Sequence, residues 1–397
     1  MDFSVVNLDE DAAALLKRVQ QVLNEALGDD EDWPVRERES GPATLHQLLG
    51  REGLIAPRWP VDEGGAGVGA LGDRLISEEL ARRQIYISRT PVMIAATVRK
   101  YLHDEPLKQE ILRGIAAGQI RVCLGYSEPD GGSDIANART RAVRDGDEWV
   151  INGAKVFTSV AHVSQYIFLL TRTNPEAPKH AGLTMFIVPL DLEGFELQPL
   201  ITIGRDRLNI TYMRDVRVAD RFRLGEVDAG WSVLQDPLAT EHGVGDADEA
   251  GLGDAHGQGT LSTTPASVML GRMIRWGARP DPQTGLAPLD DALIAAAVAN
   301  AAIDLEVARN SPGPMGKVAA SEAYARMAAD LLEAVGIAGL ISQGHEDALE
   351  GGVLDWAHRR SQATSIAGGT TEVFKNILAV TALGLPKQLP VANRPSP

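Results

Sequence analysis

The stretch "IRVCLGYS", Ile120 to Ser127, marks where the texture of the chain changes. Upstream, "DEDAAALLKRVQQVLNEALG", "ATLHQLLGREGL", "GDRLISEELARRQ" and "PLKQEILRGIAAGQ" set apolar residues three and four apart, the spacing of helices that bury one face. From Ile120 to about Leu224 the runs become short and β-branched or aromatic: "RTRAVRDGDEWVINGAKVFTS", "SQYIFLLTRT", "GLTMFIVPLD", "FELQPLITI" and "ITYMRDVRV". Turn signals at Asp145-Gly146-Asp147 and Asn152-Gly153 divide them, which reads as a small sandwich or barrel. After "DAGWSVLQDPLATEHG" the helical period returns in "ASVMLGRMIRWGA", "LDDALIAAAVANAAIDLEVAR" and "KVAASEAYARMAADLLEAVGIAGLI". The order α, β, α predicts an α+β protein with an N-terminal helical domain (1–120), a middle β domain (121–227) and a C-terminal helical domain (228–397).

Composition narrows the function classes. The 397 residues are 44% hydrophobic, enough for a substantial core, and 38 basic against 54 acidic residues give a net charge of −16 spread along the chain. That balance argues against a general nucleic-acid or anionic-membrane binder. The lone cysteine, Cys123, can form no intramolecular disulfide and belongs to no zinc-type cluster, which fits a reducing compartment. The start "MDFSVVNLDEDAAALLKRVQQ" lacks a signal-peptide pattern, and no window approaches the ~18 apolar residues of a membrane span, so the expected location is cytoplasmic. "PRWPVDEGGAGVG" reads as a structural connection. Gly243 to Pro265 is rich in Gly, Asp, Ser and Thr and reads as a mobile loop; its Asp and His residues raise a metal site, which its glycines disfavour.

Two segments suggest binding. In "SIAGGTTEVFKNIL", Ser365 to Leu378, apolar Val373 and Ile377, with Val380 beyond, follow helical spacing, and Gly384-Leu385-Pro386 supplies a stop. A helix starting at Gly369 or Thr370 would offer unpaired N–H groups to an anionic or carbonyl-bearing cofactor, with glycines permitting close approach. An ordinary capped helix, with Glu372 at the third position reaching back, is the alternative. "LGYSEPDGGSD", Leu124 to Asp134, turns on Pro129, Gly131 and Gly132 and sets Ser127, Ser133 and backbone amides toward a common space; alone it is also a plain turn.

Taken with "INGAKVFTS" (Ile151 to Ser159), "VDAGWSVL" (Val227 to Leu234), "AGGTTEVFKNILAVTALGLP" and "RWPVDEGGAG", this motif resembles the acyl-CoA dehydrogenase family over nearly the whole chain. The resemblance implies a C-terminal four-helix bundle and an FAD lying between it and the β domain, with an acyl-CoA thioester across the flavin. The implied reaction is α,β-dehydrogenation: a carboxylate removes the α-proton while the β-hydrogen leaves as hydride. By motif position, Tyr126 and Ser127 contact the flavin pyrimidine edge, Phe157 and Ser159 flank the ring, and Ser133 meets coenzyme A. Gly369 and Thr370 lie against the flavin nucleotide, with Glu372 at a further cofactor contact. Many members carry the catalytic glutamate just before that glycine-threonine pair, where this chain has Gly368 on the substrate side.

The family's second base position falls in "PLATEHG" and supplies Glu241, followed by His242, placed toward substrate, where many members have arginine. A carboxylate in a dry pocket has its pKa raised toward the working pH, which suits a base. The family's Arg-x-x-Phe-Gly motif is absent around "RMIRWGARPDPQTGLAPLDD", and Arg275 and Arg279 do not fit it. This looser pattern looks like actinobacterial members that act on steroid side-chain thioesters, some of them α2β2. The implied partners are an acyl-CoA, an electron-transfer flavoprotein or similar acceptor, and either a homo-oligomer or a heterotetramer with a sister subunit. A non-catalytic partner subunit and a flavin oxidase or monooxygenase are the competing readings.

Overall fold

A computed structural model describes residues 8–27, 43–83, 85, 87–241, 260–311 and 313–386. Five helices come first: α1 (Glu10–Leu27), α2 (Ala43–Arg51), α3 (Ala70–Arg82), α4 (Thr90–Tyr101) and α5 (Glu105–Ala116). Eight strands follow: β1 (Val122–Gly125), β2 (Arg141–Asp145), β3 (Glu148–Lys155), β4 (Tyr166–Arg172), β5 (Leu183–Pro189), β6 (Phe195–Ile201), β7 (Arg207–Ala219) and β8 (Arg223–Leu224). The remaining helices are α6 (Gly230–Glu241), α7 (Thr260–Gly277), α8 (Ala292–Arg309), α9 (Gly313–Val335), α10 (Val353–Thr364) and α11 (Thr371–Thr381). Local chemistry sets several starts. The Asp104 carboxylate accepts the Leu107 amide to open α5, and Asp291 accepts those of Leu293 and Ile294 to open α8.

The strands form two antiparallel-rich halves of one hydrogen-bonded sheet. β6, β7, β3 and β2 make one half; β1, β4, β5 and β8 make the other. They are joined where β2 meets β4 at a single pair, Arg141 with Arg172. Trp149 of β3 meets Phe186 of β5 edge-on at 5.6 Å, so side chains of the two halves share a core, as in a sandwich. Every residue of β4 is buried, because the N-terminal helices add their apolar faces to the same cluster. The helical domain and the sheet thus share one core. The C-terminal helices have their own, built from α7, α8, α9 and α10 around Met269, Leu305, Tyr324 and Leu354, with α11 laid on α9. The expected α+β architecture holds.

Three local readings are corrected. Asn152-Gly153 is not a turn: β3 runs through it, and β7 carries the extra residue opposite, with Asp215 at φ +51. Asn152 serves that bulge, its side chain accepting from the Asp215 amide and donating to the Asp215 carboxylate, both at 2.9 Å. Gly153 is required because a Cβ there would lie 2.7 Å from Thr140 Cα. Next, the loop expected to Pro265 ends sooner, since α7 already starts at Thr260 and buries Ser262 and Ala266; residues 243–259 lie outside the described residues. Finally, Glu372 is the second helical residue of α11 rather than the third, so the cap is Thr370, whose hydroxyl accepts the Val373 amide at 3.2 Å.

One polar joint gives the fold an acid-sensitive component. Asp220 accepts Trp149 Nε1 at 2.7 Å and Arg223 Nε at 2.9 Å, and the Arg223 hydrogen bonds hold its carboxyl down at about 2, from an ordinary 3.8. A depressed carboxylate contributes stability above its unfolded pKa and loses it as pH falls through the folded value. Asp220→Asn should therefore cost about 1 kcal/mol near neutral pH, a figure already reduced for solvent screening. The gap between wild type and variant should close as pH drops from 3.8 toward 2, read from urea midpoints at each pH. A gap unchanged over that interval would contradict the assignment.

Candidate active site

Tyr126 and Ser127 leave β1 into a turn closed by reciprocal amide-carbonyl bonds between Glu128 and Gly131, at 2.9 and 3.0 Å. Tyr126 packs edge-on to Phe168 at 5.9 Å, which fixes its ring against the core. The Glu128 carboxylate accepts the amides of Arg139 and Thr140 at 2.7 and 2.8 Å, and Lys155 Nζ at 2.8 Å. Lys155 is fully buried; burial pulls its pKa down to about 8 against the opposing pull of Glu128. Burial also works against ionised Glu128, yet Lys155 and the two amides outweigh it and hold the carboxyl below its ordinary range. Ser133 lies on the exposed far side of this turn, next to Asp134, which pairs with Lys179 at 3.0 Å.

The segment after β3 runs alongside. Val156 donates its amide to Ser127 O at 2.9 Å, which places Phe157 and Ser159 beside the Ser127 turn. Phe157 has φ +60 and Val160 φ +55, conformations that cost about 1–3 kcal/mol each in non-glycine residues. Thr158 between them is buried, its hydroxyl 2.7 Å from that of Thr211 and its amide donating to Asn209 O at 3.0 Å. Pinning Thr158 inward turns Phe157 outward, where this large aromatic is 56% exposed. An exposed aromatic held on strained backbone offers a flat wall.

The glycine-threonine turn belongs to the C-terminal bundle. Gly368 and Gly369 adopt φ +66 and +92, which glycine tolerates, and Thr370 then caps α11. Lys317, fully buried on α9, donates to the carbonyls of Thr364 and Ala367, both at 2.7 Å, and Ser321 donates to Thr364 O at 3.0 Å. With those carbonyls held, the amides of Gly368, Gly369 and Thr370 donate no hydrogen bond among the described residues. The Glu372 carboxylate sits over its own amide, which lowers its pKa, and receives the Thr371 hydroxyl at 3.3 Å.

α6 is set by "VDAGW". The Thr184 hydroxyl accepts the Asp228 amide at 2.9 Å, and a Cβ on Gly230 would meet Thr184 Cα at 2.7 Å, so only glycine lets the helix start this close to β5. Further along, Asp236 receives Lys100 at 2.7 Å and Tyr101 Oη at 2.8 Å, tying α6 to α4. Glu241 is the final residue of α6; its side chain, and His242, lie outside the described residues.

The structure therefore brings Tyr126, Ser127, Phe157 and Ser159 together on one edge of the β domain, while Gly368 to Glu372 sit on the bundle. The two units meet where Asp206 pairs with Arg360 and Arg205 reaches Gln343 O at 3.4 Å. Arg272 and Arg279 are engaged with Glu350 inside the bundle. Sequence reading missed Glu128, Lys155, Thr158 and Lys317; Lys155 and Lys317 carried one signal, a lysine at a position that strand or helix periodicity assigns to the core, while Glu128 and Thr158 lie in loops and carried none. Cys123 is inert, since burial pushes its thiol up to about 12. Among the described residues no His, Cys, Asp or Glu cluster could hold a metal, and no helix is long and apolar enough to cross a membrane.

An exposed aromatic wall, undonated amides on a glycine turn and a capped helix start suit a flat, anionic nucleotide cofactor. Models of the acyl-CoA dehydrogenase N-terminal, middle and C-terminal domains match residues 9–119, 123–216 and 292–383. Acyl-CoA dehydrogenase FadE26 of Mycobacterium tuberculosis is 33% identical over 371 residues, 85% of this chain and 86% of that protein. Acyl-CoA dehydrogenase IpdE1 of Mycolicibacterium smegmatis is 30% identical over 370 residues, 87% and 88% of the two chains. Among solved structures, the ChsE4-ChsE5 complex from Mycobacterium tuberculosis gives a TM-score of 0.80 at 29% identity, covering 97% of this chain and 100% of that one. A Tcur3481-Tcur3483 steroid ACAD gives 0.80 at 28% identity, with 98% and 100% covered.

Proposed function

The chain belongs to the acyl-CoA dehydrogenase family, and from that premise we propose that it dehydrogenates an acyl-CoA thioester with FAD as cofactor and Glu241 as the general base. FAD, when bound, supplies the hydride acceptor. The observation that carries this reading is the turn at Gly368 and Gly369, whose undonated amides open onto the Thr370-capped start of α11. Gly369, Thr370 and Glu372 hold the nucleotide; Tyr126 and Ser127 meet the ring edge; Phe157 and Ser159 wall the ring. Ser133 contacts coenzyme A, and Gly368 and His242 border the thioester. Gly368 cannot take a proton, so Glu241, at the end of α6, removes it.

Protein purified in excess FAD should be yellow and retain roughly one flavin per site, as a saturated one-site equilibrium requires. Protein that takes up no flavin, alone or with a sister subunit, would remove the reading. The named relatives guide two finer proposals. The steroid ACAD suggests a bulky, steroid-type acyl chain; family membership suggests an electron-transfer flavoprotein or similar carrier as electron acceptor. The paired relatives suggest a heteromer with a sister subunit. An exposed seam on α8 supports assembly: Leu293, Ala296, Asn300, Ile303 and Val307 recur three and four apart on the side away from buried Val298, Ala301 and Leu305.

The partner-subunit reading, in which this chain completes another chain's site, draws on Gly368 and on the engagement of Arg279 by Glu350. It predicts a chain that is colourless alone and yellow on mixing.

A further inference from the structure

Tyr126-Ser127 and Phe157-Ser159 leave different strands, and those strands do not pair: β1 pairs with β4, whereas β3 pairs with β2 and β7. Something other than the sheet ladder must therefore set the gap between the two segments. The ties converge on Lys155, the last residue of β3. Its ammonium donates to Tyr126 O at 3.2 Å and to Glu128 at 2.8 Å, reaching both sides of Ser127. Glu128 in turn gathers the amides of Arg139 and Thr140, just before β2. Beside this pair, the Val156 amide donates to Ser127 O at 2.9 Å across the same gap.

Stability alone does not call for a lysine there. Lys155 shares the inward face of β3 with Trp149 and Ile151, and its side chain is 0% exposed while that of Glu128 is 10% exposed. Taking such a pair out of water costs several kcal/mol per ion, and well-packed apolar replacements are often as stable or more so. What an apolar pair cannot supply is direction: three donors on one nitrogen, aimed at a carbonyl and a carboxylate that flank one residue.

We propose that Glu128 and Lys155 are positioning residues that fix the spacing between the Ser127 turn and the Phe157 wall, and so the width of the slot that takes the flavin ring. This rests on the flavin reading above. The pair touches the flavin only through the segments it holds.

The test compares wild type, Lys155→Met, Glu128→Gln and the double variant, alone and mixed with a sister subunit. FAD affinity is read by fluorescence quenching, flavin surroundings by visible circular dichroism, and folding by thermal midpoint. The double variant leaves no buried charge unpaired and should keep a near wild-type midpoint. It should nevertheless bind FAD at least about tenfold more weakly, with an altered visible dichroism, because the ties to Tyr126 O and Glu128 are gone. A purely structural role predicts that affinity and dichroism recover together with the midpoint, and that result would overturn the proposal. Where Lys155→Met does not fold, Glu128→Gln, which keeps the side-chain shape, reads the same quantities with the same two outcomes. Wild type that binds no FAD overturns the site reading and this inference together. Wild-type binding with unaffected variants overturns this inference alone.

Discussion

Glu241→Gln should leave flavin content and thioester binding largely intact while lowering anaerobic flavin reduction by about two orders of magnitude or more. Glutamine keeps the length and hydrogen-bonding shape of glutamate but accepts no proton at neutral pH. The size of the effect follows from what the other motif positions offer among the described residues: the residue before the glycine-threonine pair is Gly368, without a side chain, and Glu372 has its carboxylate over its own amide. The structure also limits the obvious rescue. Gly368→Glu in the Glu241→Gln background returns a carboxylate to the alternative position, but Gly368 has φ +66, where a side chain costs about 1–2 kcal/mol. Any recovery should be partial and should come with a lowered thermal midpoint. Full-rate reduction in Glu241→Gln alone would exclude this residue as the base.

Lys317→Met should cost about 2–3 kcal/mol of stability and weaken FAD binding in the protein that still folds. The lysine is fully buried and its ammonium holds two carbonyls, Thr364 O and Ala367 O, at the end of α10. Methionine fills similar space but donates nothing. Thr364 O keeps the Ser321 hydroxyl at 3.0 Å; Ala367 O loses the Lys317 bond just before Gly368 and Gly369. The turn that presents the open amides is then free to shift. Thermal midpoint and FAD titration check both parts, and a variant with wild-type values in both would show that the turn needs no anchor.

Much of the architecture was legible because it rests on periodicity. The change from three-and-four spacing to short β-branched runs and back places the helices, the sheet and the bundle, and the Asp145-Gly146-Asp147 turn joins β2 to β3 as read. Two of the three misreadings share one cause, a partner distant in sequence, whereas the cap of α11 is a local shift of one residue. Asn152-Gly153 has the letters of a hairpin turn, but its conformation is decided by Asp215 on β7 and by the closeness of Thr140. α7 starts at Thr260 among polar residues because Ser262 is buried 3.4 Å from Ser321 of α9. Ser127, Phe157 and Gly369 stood out as candidates by motif; the residues that hold them stood out by no motif. Lys155 and Lys317 fall in register with core positions but what they hold shows only once the fold closes over them, and Thr158 gives no sign that it turns Phe157 outward.

The most direct test of the account is an anaerobic titration of the flavin-loaded protein, in whichever assembly carries flavin, with a steroid side-chain CoA thioester. The account predicts loss of the visible flavin absorbance in stoichiometric amounts, with an α,β-unsaturated thioester recovered as product. A flavin spectrum that stays oxidised under excess steroid-type and straight-chain thioesters alike would contradict it.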